Sequence, residues 1–196
     1  MTEPQFKEAS WDWVQNLPDT TAATTKWGDI GDWDVSGVKD FSFAFSQHRN
    51  EVGGTVMDTG NPQAAKFVGT AISKWNTASA ATLFSTFRDA GEMNADLSGW
   101  KVGKVATLEK TFESASKFTG TGVDTWNVVK VATFTFTFSS TTSLTTCNKR
   151  KIADAWKNSA AFGTSYGVLW ADDKCVPVRN GVRTMRCDVE GCVCAK

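Results

Sequence analysis

The feature that most constrains this chain is a register shared by four tryptophans. Trp33, Trp75, Trp100 and Trp126 occupy one position in four copies of a repeat, and the apolar residues around them fall into columns. Three residues before each Trp stand Ile30, Ile72, Leu97 and Val123, and two after it Val35, Thr77, Val102 and Val128. Five after it come Val38, Ala80, Val105 and Val131, and eight after it Phe41, Leu83, Leu108 and Phe134. Twelve after it are Phe45, Phe87, Phe112 and Phe138, the same residue in every copy. Spacings of 25 and 26 residues between the last three Trp mark a stack of units, each too small to bury its apolar face without neighbours. The 42 residues from Trp33 to Trp75 are one period plus an insertion of about 17, roughly Arg49 to Lys66.

Alternation around each Trp predicts a brief β-strand. Spacings of three and then four beyond it predict one face of a short helix. Asp40, Thr82, Thr107 and Thr133, seven after the Trp, suit the helix N-cap. The expected fold is therefore an α/β solenoid of about four stacked strand–turn–short-helix repeats, leucine-rich-repeat-like, with Trp and Phe ladders inside. A cap helix is expected over 2–17, where Thr2 and Gln5 match a capping box, Phe6, Ala9, Trp13 and Leu17 recur at helical spacing, and Pro18 stops the run. The repeats cover about 27–144, and a second cap helix is expected over 149–162. Residues 1–176 read as one repeat domain and 177–196 as a hairpin with a Cys-rich tail.

Equal counts of 21 basic and 21 acidic residues argue against a nucleic-acid groove. No apolar run has the length of a membrane span. Cys147, Cys175, Cys187, Cys192 and Cys194 all lie in the last quarter, which points to a stapled end in an oxidising compartment. Cys147 with Cys175 is one pairing. Cys175 with Cys187, across a hairpin turning at Asn180-Gly181, is its rival, and spacing does not choose between them.

The stretches Asp96-Leu97-Ser98-Gly99-Trp100-Lys101-Val102 and Ile30-Gly31-Asp32-Trp33-Asp34-Val35-Ser36-Gly37-Val38 resemble the repeat of BspA-like surface proteins, a leucine-rich-repeat-like family that includes mycoplasma lipoproteins. The segment from Cys147 to Cys175 is similar to the one that follows the repeats in algal members. Ala44, Thr86, Thr111 and Thr137 replace that family's methionines before the closing Phe. The resemblance implies a secreted or cell-surface binding role and transfers no catalytic residue; an organelle lumen is the alternative location. No signal peptide precedes the first helix, so secretion would require a targeting segment already removed.

No nucleophile elbow, phosphate-binding loop or His-rich cluster is present, and the reading is non-enzymatic, with no cofactor and no metal. Asp29, Asp32 and Asp34 fall short of a calcium loop, and His48 reads as a solvated loop residue. The expected function is protein or cell-surface binding. Asp34, Asn76, Lys101 and Asn127, with Ser73, Ser98 and Asp124, form the candidate binding face. The insertion is a further candidate. A second reading is a subunit docked permanently in a larger assembly, with Phe43, Phe84 and Phe136 as contact aromatics. A third is ice or crystal-surface binding through threonine columns that include Thr82, Thr107 and Thr133 and, four residues on, Thr86, Thr111 and Thr137.

Overall fold

Left-handed residues placed four apart shape the segment after each Trp. Phe43, Ser85, Lys110 and Phe136, ten after their Trp, have φ of 59, 52, 56 and 56°. Asp89, Ser114 and Ser140, four further on, have φ of 60, 58 and 57°. Alternating right- and left-handed backbone gives tandem turns, closed by bonds such as Ala44 N–H to the Phe41 carbonyl (3.1 Å) and Ser46 N–H to the Phe43 carbonyl (3.0 Å). Alternate N–H groups are left pointing along the stack. Those 8, 10, 12 and 14 residues after each of the first three Trp donate to carbonyls 7, 9, 11 and 13 after the next, in twelve bonds of 2.8–3.3 Å.

The computed structural model describes residues 1–54 and 60–170, with the backbone of 186–188 and 191–193. It overturns the strand–turn–short-helix solenoid. Among the described residues the only strands are β1 (Arg186–Asp188) and β2 (Gly191–Val193), an antiparallel pair outside the repeats that sets Cys187 opposite Cys192. Spacings of three and four serve a tandem turn as well as a helix, and a run of one or two turns lacks the length to sustain helical hydrogen bonding. The residues taken for N-caps make local turns instead. Asp40 Oδ1 accepts from Ser42 N–H (2.8 Å), and the Thr82, Thr107 and Thr133 hydroxyls accept from the N–H two residues on at 3.1–3.4 Å. Near the Trp the backbone is extended but unpaired. Rings of Trp33, Trp75 and Trp100 stack at 6.0–6.2 Å. The copies are joined there by side chains. Indole N–H groups of Trp75, Trp100 and Trp126 donate to the Ile30, Ile72 and Leu97 carbonyls of the preceding copy at 2.8–3.0 Å.

The core runs the length of this stack. Phe45, Phe87, Phe112 and Phe138 stack ring on ring at 5.6–5.7 Å. Phe67 and Phe118 lie at 4.1 Å against Phe45 and Phe112, and belong to an inner column that includes buried Met93 and Leu144. The threonines in the methionine column are wholly buried. Each hydroxyl bridges carbonyls of two copies, as Thr111 does to Leu83 (2.9 Å) and Leu108 (2.8 Å). Thr77, which replaces a valine, is equally buried and bonds the backbone N–H and carbonyl of Lys101 at 2.7 and 3.3 Å.

Helix α1 (Glu3–Gln15) covers the first copy, its capping box formed on both sides by Thr2 and Gln5. It buries Phe6 and Trp13 against Phe41 and Trp33. Helix α2 (Thr21–Trp27), absent from the sequence reading, is tied to α1 by Lys26 to Glu8 and Asp12, and by the Trp27 indole to Asp12. At the far end α3 (Thr146–Trp156) begins three residues before its expected start, because the Thr145 hydroxyl accepts from Asn148 N–H. It ends at Trp156 rather than 162. Trp156 continues the indole stack on Trp126 at 6.4 Å, and a short helix α4 (Ala160–Phe162) runs into a π turn, Gly163–Gly167.

Candidate functional site

Most of the expected polar face is occupied with its own backbone. Asp34, Asn76 and Asn127 are exposed, but each side-chain oxygen accepts the N–H two residues on at 3.0–3.2 Å. Hydrogen bonds from Ser36 hold the Asp34 carboxyl below its ordinary range. Ser98 N–H is held by Asp96, Ser73 and Asp124 are half-buried, and the exposed Lys101 projects from the face. The column after each Trp is thus first a turn former. Of the acidic trio, Asp29 behaves like Asp34, accepting from Gly31 N–H at 2.8 Å, and no group of metal-ligating side chains forms among the described residues. His48 is half-buried, its Nε2 2.7 Å from Asp89 Oδ2.

The contact aromatics separate. Phe43 is buried edge-on against Phe84 at 5.1 Å, and Phe84 is half-buried, whereas Phe136 is 54% exposed. Burial also removes Thr86, Thr111 and Thr137 from any ice-facing surface. Cys147 is buried in α3. Cys175, its candidate partner, lies outside the described residues, as does the hairpin expected around Asn180-Gly181.

Because the N–H groups of the tandem-turn ladder all donate to the following copy, the turn ladder has two unlike ends. At the first copy the carbonyls face outward and cations meet them. Lys7 Nζ donates to the Ser42 carbonyl and Arg49 Nη1 to the Ala44 carbonyl, both at 3.1 Å. Arg49 is buried with no carboxylate partner among the described residues. It also holds Ser10 Oγ (2.8 Å) and the Lys7 carbonyl (2.6 Å), and burial pulls its pKa down to about 10. Sequence reading took Arg49 only as the edge of an insertion, since nothing local announces a cation that serves the end of a hydrogen-bond ladder.

Beside this pole, between α1 and the start of the insertion, opens a cleft of about 760 Å³. Glu3, Glu8, Asp12, Asp40 and Glu51 line it with Lys7, Trp11 and Val52. Glu3 accepts from the backbone N–H of Lys39 and Asp40, and Lys7 pairs with Asp40 at 3.1 Å. Burial opposes ionisation of Asp40, but its bonds from Ser42 and Lys7 outweigh that and hold the pKa below the usual value. The Arg49 guanidinium lies 5.6 Å from the Trp11 ring centroid, and Val52 is 77% exposed. The cleft is net acidic, with Trp11 and Val52 among its apolar lining. It could not be read from sequence because α1 and the insertion meet only in the fold.

At the C-terminal pole N–H groups face outward. Phe138 N–H is taken by the Tyr166 hydroxyl at 2.9 Å. A groove of about 420 Å³ lies there between the last turns and the residues after α4, with Phe136, Tyr166 and Leu169 on its walls.

No helix among the described residues is long and apolar enough to cross a membrane. No curated protein and no solved structure matches the chain. A family's sequence model does match, over residues 55–156, just over half of the length and most of the repeats. By that match the chain belongs to the family described as mycoplasma protein of unknown function, DUF285.

Proposed function

We propose that this protein is a non-enzymatic binding module that engages a protein or cell-surface partner, and that the cleft beside α1 is where it does so. The observation that carries the proposal is the cleft's composition. Five carboxylates, three of them paired with Lys7 or Lys26, surround Trp11 and exposed Val52 and leave a net negative cleft that suits a basic segment carrying an apolar side chain. The likeness of the repeats to BspA-like surface proteins supports the same reading, since stacked repeats present extended rigid surfaces. Glu51 and Val52 are exposed, so Glu51→Arg with Val52→Asp leaves the fold intact. The test exposes the oxidised full chain to intact cells and extracellular matrix and identifies retained proteins by mass spectrometry. A partner recovered near stoichiometric yield, and lost with the double variant, supports the cleft. A partner retained equally by both forms moves binding elsewhere, and no partner from any source ends the adhesion reading.

Permanent docking in an assembly is favoured by one separate observation. Val129, Phe136, Val168 and Leu169 expose 54–84% of their surface toward the C-terminal end of the chain. An obligate subunit self-associates when purified alone, and sedimentation at rising concentration reads this directly.

A further inference from the structure

The C-terminal pole of the turn stack is an unfinished hydrogen-bond edge. In each internal interface four donors, 8, 10, 12 and 14 residues after the Trp, meet carbonyls of the next copy. In the last copy these donors are the N–H groups of Phe134, Phe136, Phe138 and Ser140. The Tyr166 hydroxyl serves Phe138, and the other three have no partner among the described residues. Phe134 is buried beneath Trp156 and Phe162. Phe136 is not, and its amide opens beside the groove bounded by its own ring, Tyr166 and Leu169, which is 71% exposed.

We propose that this pole binds an extended peptide segment of another protein by continuing the stack. A main-chain carbonyl of the peptide accepts the Phe136 N–H, and an aliphatic or aromatic side chain next to it lies between Phe136 and Leu169. Continuity with the internal interfaces defines the occupant. In the equivalent place Phe43, Ser85 and Lys110 donate to main-chain carbonyls at 2.9–3.0 Å, so the edge is shaped for a backbone acceptor. No charged side chain lines the groove, whose polar neighbours are Thr135, Ser139 and Ser165, which fits an apolar side chain at this point of the segment better than a basic one. At the other pole Lys7 and Arg49 already occupy the two central carbonyls of the ladder, those of Ser42 and Ala44. Peptides that add to open backbone edges draw affinity from main-chain bonds and selectivity from one or two side-chain pockets.

The test uses a probe taken from the chain's own third copy, acetylated and amidated Ala106–Ala115, which carries the turn sequence that follows a rung in the native stack. It is titrated into the ¹⁵N-labelled full chain beside a scrambled peptide of the same composition. The expected result is a saturable shift at the Phe136 amide, and slower exchange of that proton, with the native-order probe only. In the free chain this amide should exchange far faster than those of Ser85 and Lys110. Phe136→Asn keeps a residue tolerant of left-handed backbone while removing the ring, and Leu169→Ser removes the facing wall. Each should weaken the probe at least fivefold with an unchanged melting temperature. Binding that survives both variants overturns the proposal, as does a Phe136 amide already protected in the free chain, which would mean that another part of the chain covers the edge.

Discussion

Thr111→Val tests whether buried hydroxyls hold the copies together. Thr111 is wholly buried, and its Oγ1 lies 2.9 Å from the Leu83 carbonyl and 2.8 Å from the Leu108 carbonyl. One proton serves one acceptor at a time, so valine removes one hydrogen bond, a net loss of about 1 kcal/mol. Neither carbonyl is orphaned. Leu83 keeps the Thr86 N–H and hydroxyl, and Leu108 keeps the Thr111 N–H and the Thr137 hydroxyl. The larger penalty for an unsatisfied buried group therefore does not apply. A methyl in place of the hydroxyl would stand nearer both oxygens than the ~3.3 Å of an ordinary C–H···O contact, so the copies must part slightly. Together these give about 1–2 kcal/mol. With a urea m-value of about 2 kcal/mol/M the midpoint falls by about 0.5–1 M, read by far-ultraviolet circular dichroism. The control is Thr135→Val on the exposed side of the same turns, expected within about 0.5 kcal/mol of the parent. Equal midpoints for the two variants would refute the staple.

Three further perturbations probe other joints. At Gly122 a Cβ would meet the Ser98 backbone nitrogen at 2.2 Å, and φ is +85°, so Gly122→Ala should cost more than about 3 kcal/mol, seen as a large fall in melting temperature. Tyr166→Phe strips the acceptor from the Phe138 N–H and should cost about 1–3 kcal/mol, with that amide's exchange accelerating more than any other in the last copy. Asp40 has a folded pKa below its ordinary value, so it contributes stability above about pH 4 that is lost as pH falls through the folded value. Asp40→Asn should therefore flatten the acid limb of a stability–pH curve, and an unchanged limb would place the acid sensitivity elsewhere.

The columns of Trp, Phe and aliphatic residues were legible in the sequence because a stack repeats its side-chain contacts each time the chain returns. The backbone between them was not. A left-handed residue is announced by glycine, yet here Phe43, Ser85 and Lys110 adopt it, held by bonds to the next copy that no local window contains, and Phe136 repeats it in the last copy. The same limit hid Arg49, whose role depends on being at the end of the stack, and α2, whose hold on α1 runs through Lys26 and Trp27. Repetition itself therefore divides the surface into two kinds of position. Asp34, Asn76 and Asn127 recur because every copy needs the same turn, and an alanine at any of them tests folding before it tests recognition. Lys101 breaks that column, Phe136 occupies an end that no other copy shares, and Glu51 and Val52 belong to the insertion of the first copy alone. Where the copies disagree at an exposed position that binds no other copy, the stack requires nothing, so those are the positions at which a partner can leave its mark; buried Thr77 and Arg49 break the pattern for the stack's own sake.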